Sequence, residues 1–380
     1  MKIAFLTPEF PHPKMGLSGG IGTSILNLAK GLVQLDHDVS VLVYGQSEDE
    51  FFIENGVFFY RIKNIKFKGL SRFLTQKKIQ KLVDKLVRED KVDILEAPDW
   101  TGFTSNINPK CPVVIRLNGS DTYFCHLDNR PVKFINKFHE KRALQNADAL
   151  LSVSQYTADL TAKLFQLKRD FTIIPNSIDI DKFSNENAID VFENTILYFG
   201  TLIRKKGALE LPLIFNEVFK KNIQAKLILI GRDASDIISG NSSTWSMMQS
   251  LFDEKAKQNV TYLGGVSYEK IKEHISISTV CVFPTFAEAL PVSWIEAMAM
   301  QKAIVASNIG WANEVIDDGI NGFLVHPKEH ASYANKVLEI LDNNIVRVGL
   351  GVEARKKVAQ RFSIEIVAKQ SADFYKKLIQ

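Results

Sequence analysis

Three stretches of the 380-residue chain carry side chains that could do chemistry. In Phe283-Pro284-Thr285-Phe286-Ala287-Glu288-Ala289-Leu290-Pro291-Val292-Ser293-Trp294-Ile295-Glu296-Ala297-Met298, two carboxylates with seven residues between them flank a strand-to-helix turn. Glu296 falls in a helix that is apolar nearly all round, where an ionised carboxylate is costly unless something satisfies it. That something is either a ligand or partner, or a structural cap or arginine pair. In Gly200-Thr201-Leu202-Ile203-Arg204-Lys205-Lys206-Gly207, three consecutive cations lie between a strand and a helix. Cations so placed can neutralise a diphosphate without metal, and the alternative is a solvated basic turn. In Gly16-Leu17-Ser18-Gly19-Gly20-Ile21-Gly22, glycines lead from the first strand into a helix. Such a turn lets backbone N–H groups approach an anion, or else is an ordinary loop needing positive φ.

The elements that must position these residues read as α/β. Strands are predicted at Ile3–Thr7, Val39–Tyr44, Val92–Leu95, Val113–Leu117, Leu150–Val153 and Thr172–Ile174. The cycle restarts at Thr195–Phe199, Leu227–Ile230, Val260–Leu263, Val280–Phe283, Ile304–Ala306 and Phe323–Val325. Alternation of such runs with segments of helical period implies two parallel sheets with crossover helices. A polar, weakly periodic stretch beginning at Asn176 and running to Asn187 separates them, so the domains are placed at 1–180 and 190–363. Ser363 caps a last helix over 364–380.

Composition excludes several classes. With 46% apolar residues the chain can furnish sizeable cores, and 47 Lys and Arg against 43 Asp and Glu give a net charge of only +4. Cys111, Cys125 and Cys281 form no paired framework, which fits a reducing, cytoplasmic setting. Met1 to Glu9 has no apolar core of a signal peptide, and no window approaches the ~20 apolar residues of a spanning helix. A nicotinamide dehydrogenase is excluded because Ile25 stands where the third fingerprint glycine belongs and Tyr44-Gly45 ends the second strand without a ribose-binding acid.

Charge is uneven. Arg61 to Lys91 holds eleven Lys or Arg and three acids, a balance of +8 against −4 elsewhere. Lys77, Lys78, Lys81, Lys85 and Arg88 interleave with Ile79, Leu82, Val83 and Leu86, the pattern of a basic amphipathic helix. It suits either an anionic membrane surface or a solvated face, and no motif for reading nucleic acid accompanies it.

In order and spacing, the motifs above resemble the retaining glycosyltransferases of the GT-B fold in glycosyltransferase family 4. The resemblance also includes Ile174-Pro175-Asn176-Ser177-Ile178-Asp179, Thr261-Tyr262-Leu263-Gly264 and the run from Glu314 to Val325. It implies two Rossmann-like domains facing across a cleft, the first for acceptor and the second for a nucleotide-diphosphate sugar, with helix 364–380 packing back on the first. The resemblance places Glu288 on the donor sugar's hydroxyls, Glu296 on the ribose, and the amides around Ala289, Leu290 and Pro291 on the diphosphate. Lys206 matches a phosphate-binding lysine, and Gly19 and Gly20 match the family's glycine loop at the donor. The family's usual arginine is Thr201 here, so that role passes to Arg204. The usual histidine near the reacting sugar is Asn118, which can hydrogen-bond a hydroxyl but cannot shuttle a proton near neutrality. The family's linker glycine is Ser177.

Retention makes a missing base tolerable, because in the family the departing phosphate takes the acceptor's proton on the same face. No nucleophile is assigned. Asp179-x-Asp181 falls in the linker segment, the seven histidines do not form a typical zinc-site pattern, and neither metal nor cofactor is predicted. The resemblance implies a hexosyltransferase of surface polysaccharide biosynthesis, acting on a glycan or lipid-linked acceptor at the cytoplasmic membrane face. A nucleotide-sugar epimerase on the same scaffold and a non-catalytic two-lobed sugar-binding protein are the alternatives. Donor base, sugar and acceptor are not legible in the sequence.

Overall fold

A computed structural model describes residues 1–16, 18–184 and 193–380. Leu17, and the stretch of the interdomain connection from 185 onward, lie outside the described residues. The chain divides into two units, Met1–Ser177 with Phe362–Gln380, and Ile178–Arg361.

The first unit is built on an eight-stranded sheet. Its strands are β1 (Lys2–Thr7), β2 (Asp38–Gln46), β3 (Glu50–Glu54), β4 (Val57–Lys63), β5 (Ile94–Pro98), β6 (Val113–Leu117), β7 (Ala149–Ser152) and β8 (Thr172–Ile173), in the order β3-β4-β2-β1-β5-β6-β7-β8. Only the β3–β4 pair is antiparallel. Its helices are α1 (Gly20–Gln34), α2 (Ser71–Arg88), α3 (Asp121–Leu127), α4 (Phe134–Asn146) and α5 (Gln155–Phe165). Because side chains alternate along a strand, each strand feeds two cores. Ile3, Phe5, Val39, Val41 and Val43 join Leu28 and Leu32 of α1. Ala4, Leu6, Leu42, Leu95 and Ile115 join Ile79, Val83 and Leu86 of α2 on the other face.

This burial corrects the membrane reading of 77–88. Ile79 and Val83 are fully buried and Leu86 nearly so, so the apolar stripe offered to a bilayer is spent in the domain's own core. Some of the cations are internally paired as well. Lys78 bonds Asp49, Arg61 bonds Glu48 and Glu50, and Lys91 bonds Glu89.

The sequence reading also omitted the β3–β4 hairpin. Its turn is Asn55-Gly56 with positive φ at both residues (49° and 76°), the conformation that a tight two-residue hairpin turn needs.

The second unit carries an all-parallel six-stranded sheet. Its strands are β9 (Thr195–Phe199), β10 (Lys226–Ile230), β11 (Val260–Tyr262), β12 (Val280–Phe283), β13 (Ile304–Ser307) and β14 (Phe323–Val325), in the order β11-β10-β9-β12-β13-β14. Around it run α6 (Glu210–Lys221), α7 (Thr244–Gln249), α8 (Glu254–Lys257), α9 (Tyr268–Ile277), α10 (Val292–Ala299), α11 (Ala312–Val315), α12 (His330–Asp342) and α13 (Asn344–Arg361). Among the described residues no helix is long and apolar enough to cross a membrane.

The last helix, α14 (Ile364–Ile379), belongs to the first unit, where Val367, Ala368, Ala372 and Tyr375 enter the α1 side of the core. Contact with α1 is close: a Cβ on Gly31 would lie 2.7 Å from that of Ala368. A buried network anchors it. Arg116 Nε donates to Glu96 Oε1 at 2.7 Å, Tyr375 Oη donates to Glu96 Oε2 at 2.6 Å, and Arg116 Nη2 reaches Ser371 Oγ at 3.4 Å. Removing one member of a buried pair strands the other charge, at roughly 3–5 kcal/mol. Glu96→Ala is therefore expected to lower urea-unfolding stability by about that much. Tyr375→Phe, which loses one hydrogen bond to a charged group, should cost roughly 1.5–3 kcal/mol.

Candidate functional site

In the second unit the site grows from the ends of β9 and β12, neighbours in the middle of the sheet. After β9, Gly200 leads into a single 3-10 turn, Arg204–Lys206, closed by Gly207 at φ +73°. A Cβ at Gly207 would stand 1.8 Å from the carbonyl oxygen of Pro284, so only glycine permits the β12 loop to lie so close. That loop is then fastened down, since the carbonyl of Lys205 accepts from the amides of Phe286 (2.8 Å) and Ala287 (3.1 Å). Lys206 Nζ consequently sits 2.9 Å from Glu288 Oε1, with both side chains still partly open to solvent.

From Glu288 the chain passes Ala289 and Leu290 to Pro291 at the N-cap of α10. Glu296 lies within that helix and is 5% exposed. Burial pushes its carboxyl up to about 7, against the opposing pull of a Tyr268 hydrogen bond and the Lys206 and Lys182 charges. Tyr268, the first residue of α9, donates its hydroxyl to Glu296 Oε1. Its ring is held edge-on by Phe183 (5.4 Å between centroids), and Lys182 Nζ lies 4.8 Å from its centroid. Tyr268 thus holds one carboxylate oxygen and favours the ionised form, the form that accepts hydroxyl donors.

A pH-dependent prediction follows. A ligand whose vicinal hydroxyls donate to Glu296 needs the carboxylate, so affinity should rise as pH rises through about 7. In Tyr268→Phe the donor that lowers this carboxyl is gone, so the rise should move to higher pH. Affinity should then fall roughly tenfold at pH 7 and recover toward wild type in alkaline buffer, the ~1.5–3 kcal/mol of a charge-assisted bond being partly offset by relaxation. Calorimetry with a nucleotide sugar, whose phosphodiesters do not titrate in this range, reads the shift.

Arg204, given a phosphate role by the resemblance, already has part of its guanidinium engaged within the chain. Its Nε and Nη2 form a two-pronged pair with Asp236 (2.9 and 2.8 Å), and that carboxylate also accepts from Ser239 N and Oγ. The guanidinium and these hydrogen bonds hold Asp236 well below the usual carboxylate range. With one edge spent on the loop after β10, Arg204 ties that loop to the cationic turn, and Lys206 is the cation aligned with Glu288.

In the first unit, Gly19 and Gly20 open α1, but a carboxylate from the same chain has reached the amides first. Glu9 Oε1 accepts from Gly19 N and Gly22 N, both at 3.0 Å. An anion at a helix N-terminus is stabilised there, and a second one is repelled. The Gly19 amide is therefore taken, whereas a Cβ on Gly20 would face open space. Asn118 follows β6, its amide donating to Asp99 Oδ1 at 2.9 Å and its Nδ2 within 3.5 Å of the Arg116 carbonyl. Asp99 is buried, its Oδ2 without a partner among the described residues, and burial pushes its carboxyl up to about 8. Glu140 of α4 accepts from the amides of Asp121 and Thr122, which pins the start of α3 just beyond Asn118.

The geometry thus brings together Lys206, Glu288, the turn 289–291 and Glu296; Gly19, Gly20 and Asn118 belong to the other unit. Sequence reasoning missed Glu9, Asp99, Asp236 and Tyr268. Glu9 and Asp99 follow the ends of β1 and β5, where a carboxylate beside a turn is a usable signal, whereas nothing local marks Asp236 or Tyr268. Among the described residues no His, Cys, Asp or Glu side chains gather as a metal-binding group.

Comparison with known proteins identifies the family and the fold. A model of glycosyltransferase family 4 matches residues 18–182, and one of the glycosyl transferases group 1 matches residues 179–357. An uncharacterized glycosyltransferase of Methanocaldococcus jannaschii is 26% identical over 99% of this chain and 98% of its own length. Among solved structures, sucrose-phosphate synthase from Thermosynechococcus elongatus superposes with a TM-score of 0.80 at 19% identity, covering 100% of this chain and 99% of that one. Anabaena HepE, solved in complex with UDP-glucose, superposes at 0.75 and 17% identity over 100% of both chains. With the two family models meeting at the boundary between two parallel-sheet units, the chain belongs to the group 1, family 4 glycosyltransferases, retaining enzymes of the GT-B fold that use nucleotide-sugar donors.

Proposed function

We propose that this enzyme transfers a hexose from a nucleotide-diphosphate sugar to a hydroxyl of a glycan or lipid-linked acceptor in the assembly of a surface polysaccharide, at the cytoplasmic side of the membrane. The observation that carries the reading is the Lys206–Glu288 contact next to the α10 start and the buried Glu296. Glu296 accepts the two ribose hydroxyls through the carboxylate form that Tyr268 favours. The diphosphate lies at the 289–291 turn, and Lys206 balances the charge that grows on the departing phosphate. Glu288, released from Lys206 as phosphate replaces it, accepts hydroxyls of the donor sugar. Of the glycine loop, Gly20 serves the donor rather than Gly19, whose amide Glu9 occupies. Asn118 hydrogen-bonds a sugar hydroxyl, and the departing phosphate takes the acceptor's proton.

UDP-glucose is the first donor to try, because HepE is described with it. Incubation of the enzyme with UDP-glucose, GDP- and ADP-sugars, with and without oligosaccharide and polyprenyl-linked acceptors, tests the reading. It predicts acceptor-dependent release of nucleoside diphosphate and a product whose new linkage keeps the donor's anomeric configuration by NMR. Conversion of the donor's own sugar to its epimer, independent of acceptor, would favour the epimerase instead.

A further inference from the structure

Six large apolar side chains of the first unit face solvent in two short segments. They are Phe67 (58% exposed), Leu70 (50%) and Phe73 (44%) around the start of α2, and Phe134 (81%), Ile135 (55%) and Phe138 (47%) on α4. The turn 101–105 joins the two segments. Arg72 Nη2 donates to the carbonyls of Thr101 and Gly102 (2.6 and 2.8 Å), while Ser105 bonds both His139 (2.8 Å) and Arg142 (2.8 Å) of α4. A Cβ on Gly102 would fall 2.2 Å from the His139 backbone, so α4 lies directly on that turn.

Charge beside these side chains is mainly positive; Asp121, which accepts from Asn136 Nδ2 of α4 at 2.9 Å, is the acid set against it. Lys66, Lys68, Lys133, Lys137 and Lys141 accompany them and make no ion pair among the described residues. No acid occurs between Asn64 and Val83, and the one acid of α4, Glu140, is buried and bonded to the amides of Asp121 and Thr122.

We propose that this patch, not the 77–88 stripe, seats the enzyme on an anionic lipid surface, the aromatic rings entering the interface and the lysines meeting headgroups. Aromatic anchors flanked by lysines match the chemistry of the membrane–water boundary. The alternatives fit worse. A second copy related by a twofold axis would press like charges together, and protein interface cores are depleted in lysine. The inference stands apart from the donor site, because its readout needs neither nucleotide nor transfer and its failure would leave the donor reading as it is.

The test is co-sedimentation of the full chain with vesicles of phosphatidylcholine alone or mixed with phosphatidylglycerol. Binding is expected only to the mixed vesicles and should weaken with added salt. Phe134→Ser with Phe138→Ser should weaken it at least about tenfold, since each ring contributes buried apolar area. Lys133→Ala or Lys137→Ala should weaken it roughly fivefold each. Lys81→Glu with Lys85→Glu, at the far end of α2, should matter less than either. The substituted rings are exposed, so thermal unfolding of these variants should match wild type. Wild-type protein left in the supernatant with phosphatidylglycerol vesicles would overturn the proposal, as would a double serine variant that sediments like wild type. A dimer mass that only the serine variant loses would also overturn it, by assigning the patch to self-association.

Discussion

Glu288→Ala is expected to abolish transfer while leaving affinity for the nucleoside diphosphate within about threefold of wild type, and Glu296→Ala is expected to do the reverse in binding. The two carboxylates sit at opposite ends of one short turn but in different environments. Glu288 is partly open and held by Lys206; in the role proposed for it, it would exchange that ion pair for sugar hydroxyls that the nucleoside diphosphate lacks. Glu296 is buried and held by Tyr268, and the two charge-assisted bonds proposed from it to ribose would be worth about 1.5–3 kcal/mol each. Losing both should weaken nucleotide binding roughly a hundredfold, just under the ~3 kcal/mol minimum for two such bonds, because removing a buried carboxyl also relieves its desolvation. Titration of each variant with nucleoside diphosphate, beside single-turnover transfer rates, separates the roles. Equal losses of affinity in both variants would contradict the division.

Lys206→Ala should slow transfer about a hundredfold or more, since one preorganised donor at a developing charge is worth about 3 kcal/mol. The loss should fall mainly on kcat, because charge on the leaving phosphate grows as the glycosidic bond breaks and the lysine's contribution grows with it. Lys206→Arg should retain part of the rate, limited by how its planar fork fits a site shaped for a point charge. A variant that loses affinity but keeps kcat would show a lysine that binds ground state and transition state alike.

How far the sequence disclosed all this depended on what kind of signal each feature leaves. The two parallel sheets were legible because runs such as Val113–Leu117 and Leu227–Ile230 are short, apolar and punctuated. The β3–β4 hairpin was not, although Asn55-Gly56 marks it, since its strands interrupt the regular alternation of strand and helix. Glu288 and Glu296 were legible because a carboxylate in an apolar run is conspicuous. Their partners were not: Tyr268 is 28 residues from Glu296, and Asp236 is 32 from Arg204, separations that only the folded chain closes. The basic helix misled because amphipathicity is the same whether its apolar face meets a bilayer or a sheet, and only the burial of Ile79 and Val83 distinguishes them. Likewise Gly19 looked like an open anion site until Glu9 was found on its amide.

The proposed nucleotide-sugar site comprises Lys206, Glu288, the 289–291 turn and Glu296. The most direct test is calorimetric titration of the metal-free enzyme with UDP-, GDP- and ADP-sugars and with NAD, repeated on Lys206→Ala and Glu296→Ala. Saturable binding of one class of nucleotide sugar, weakened in both variants, is expected, with no binding of NAD. Binding of NAD alone, or binding of a nucleotide sugar that neither substitution weakens, would contradict it.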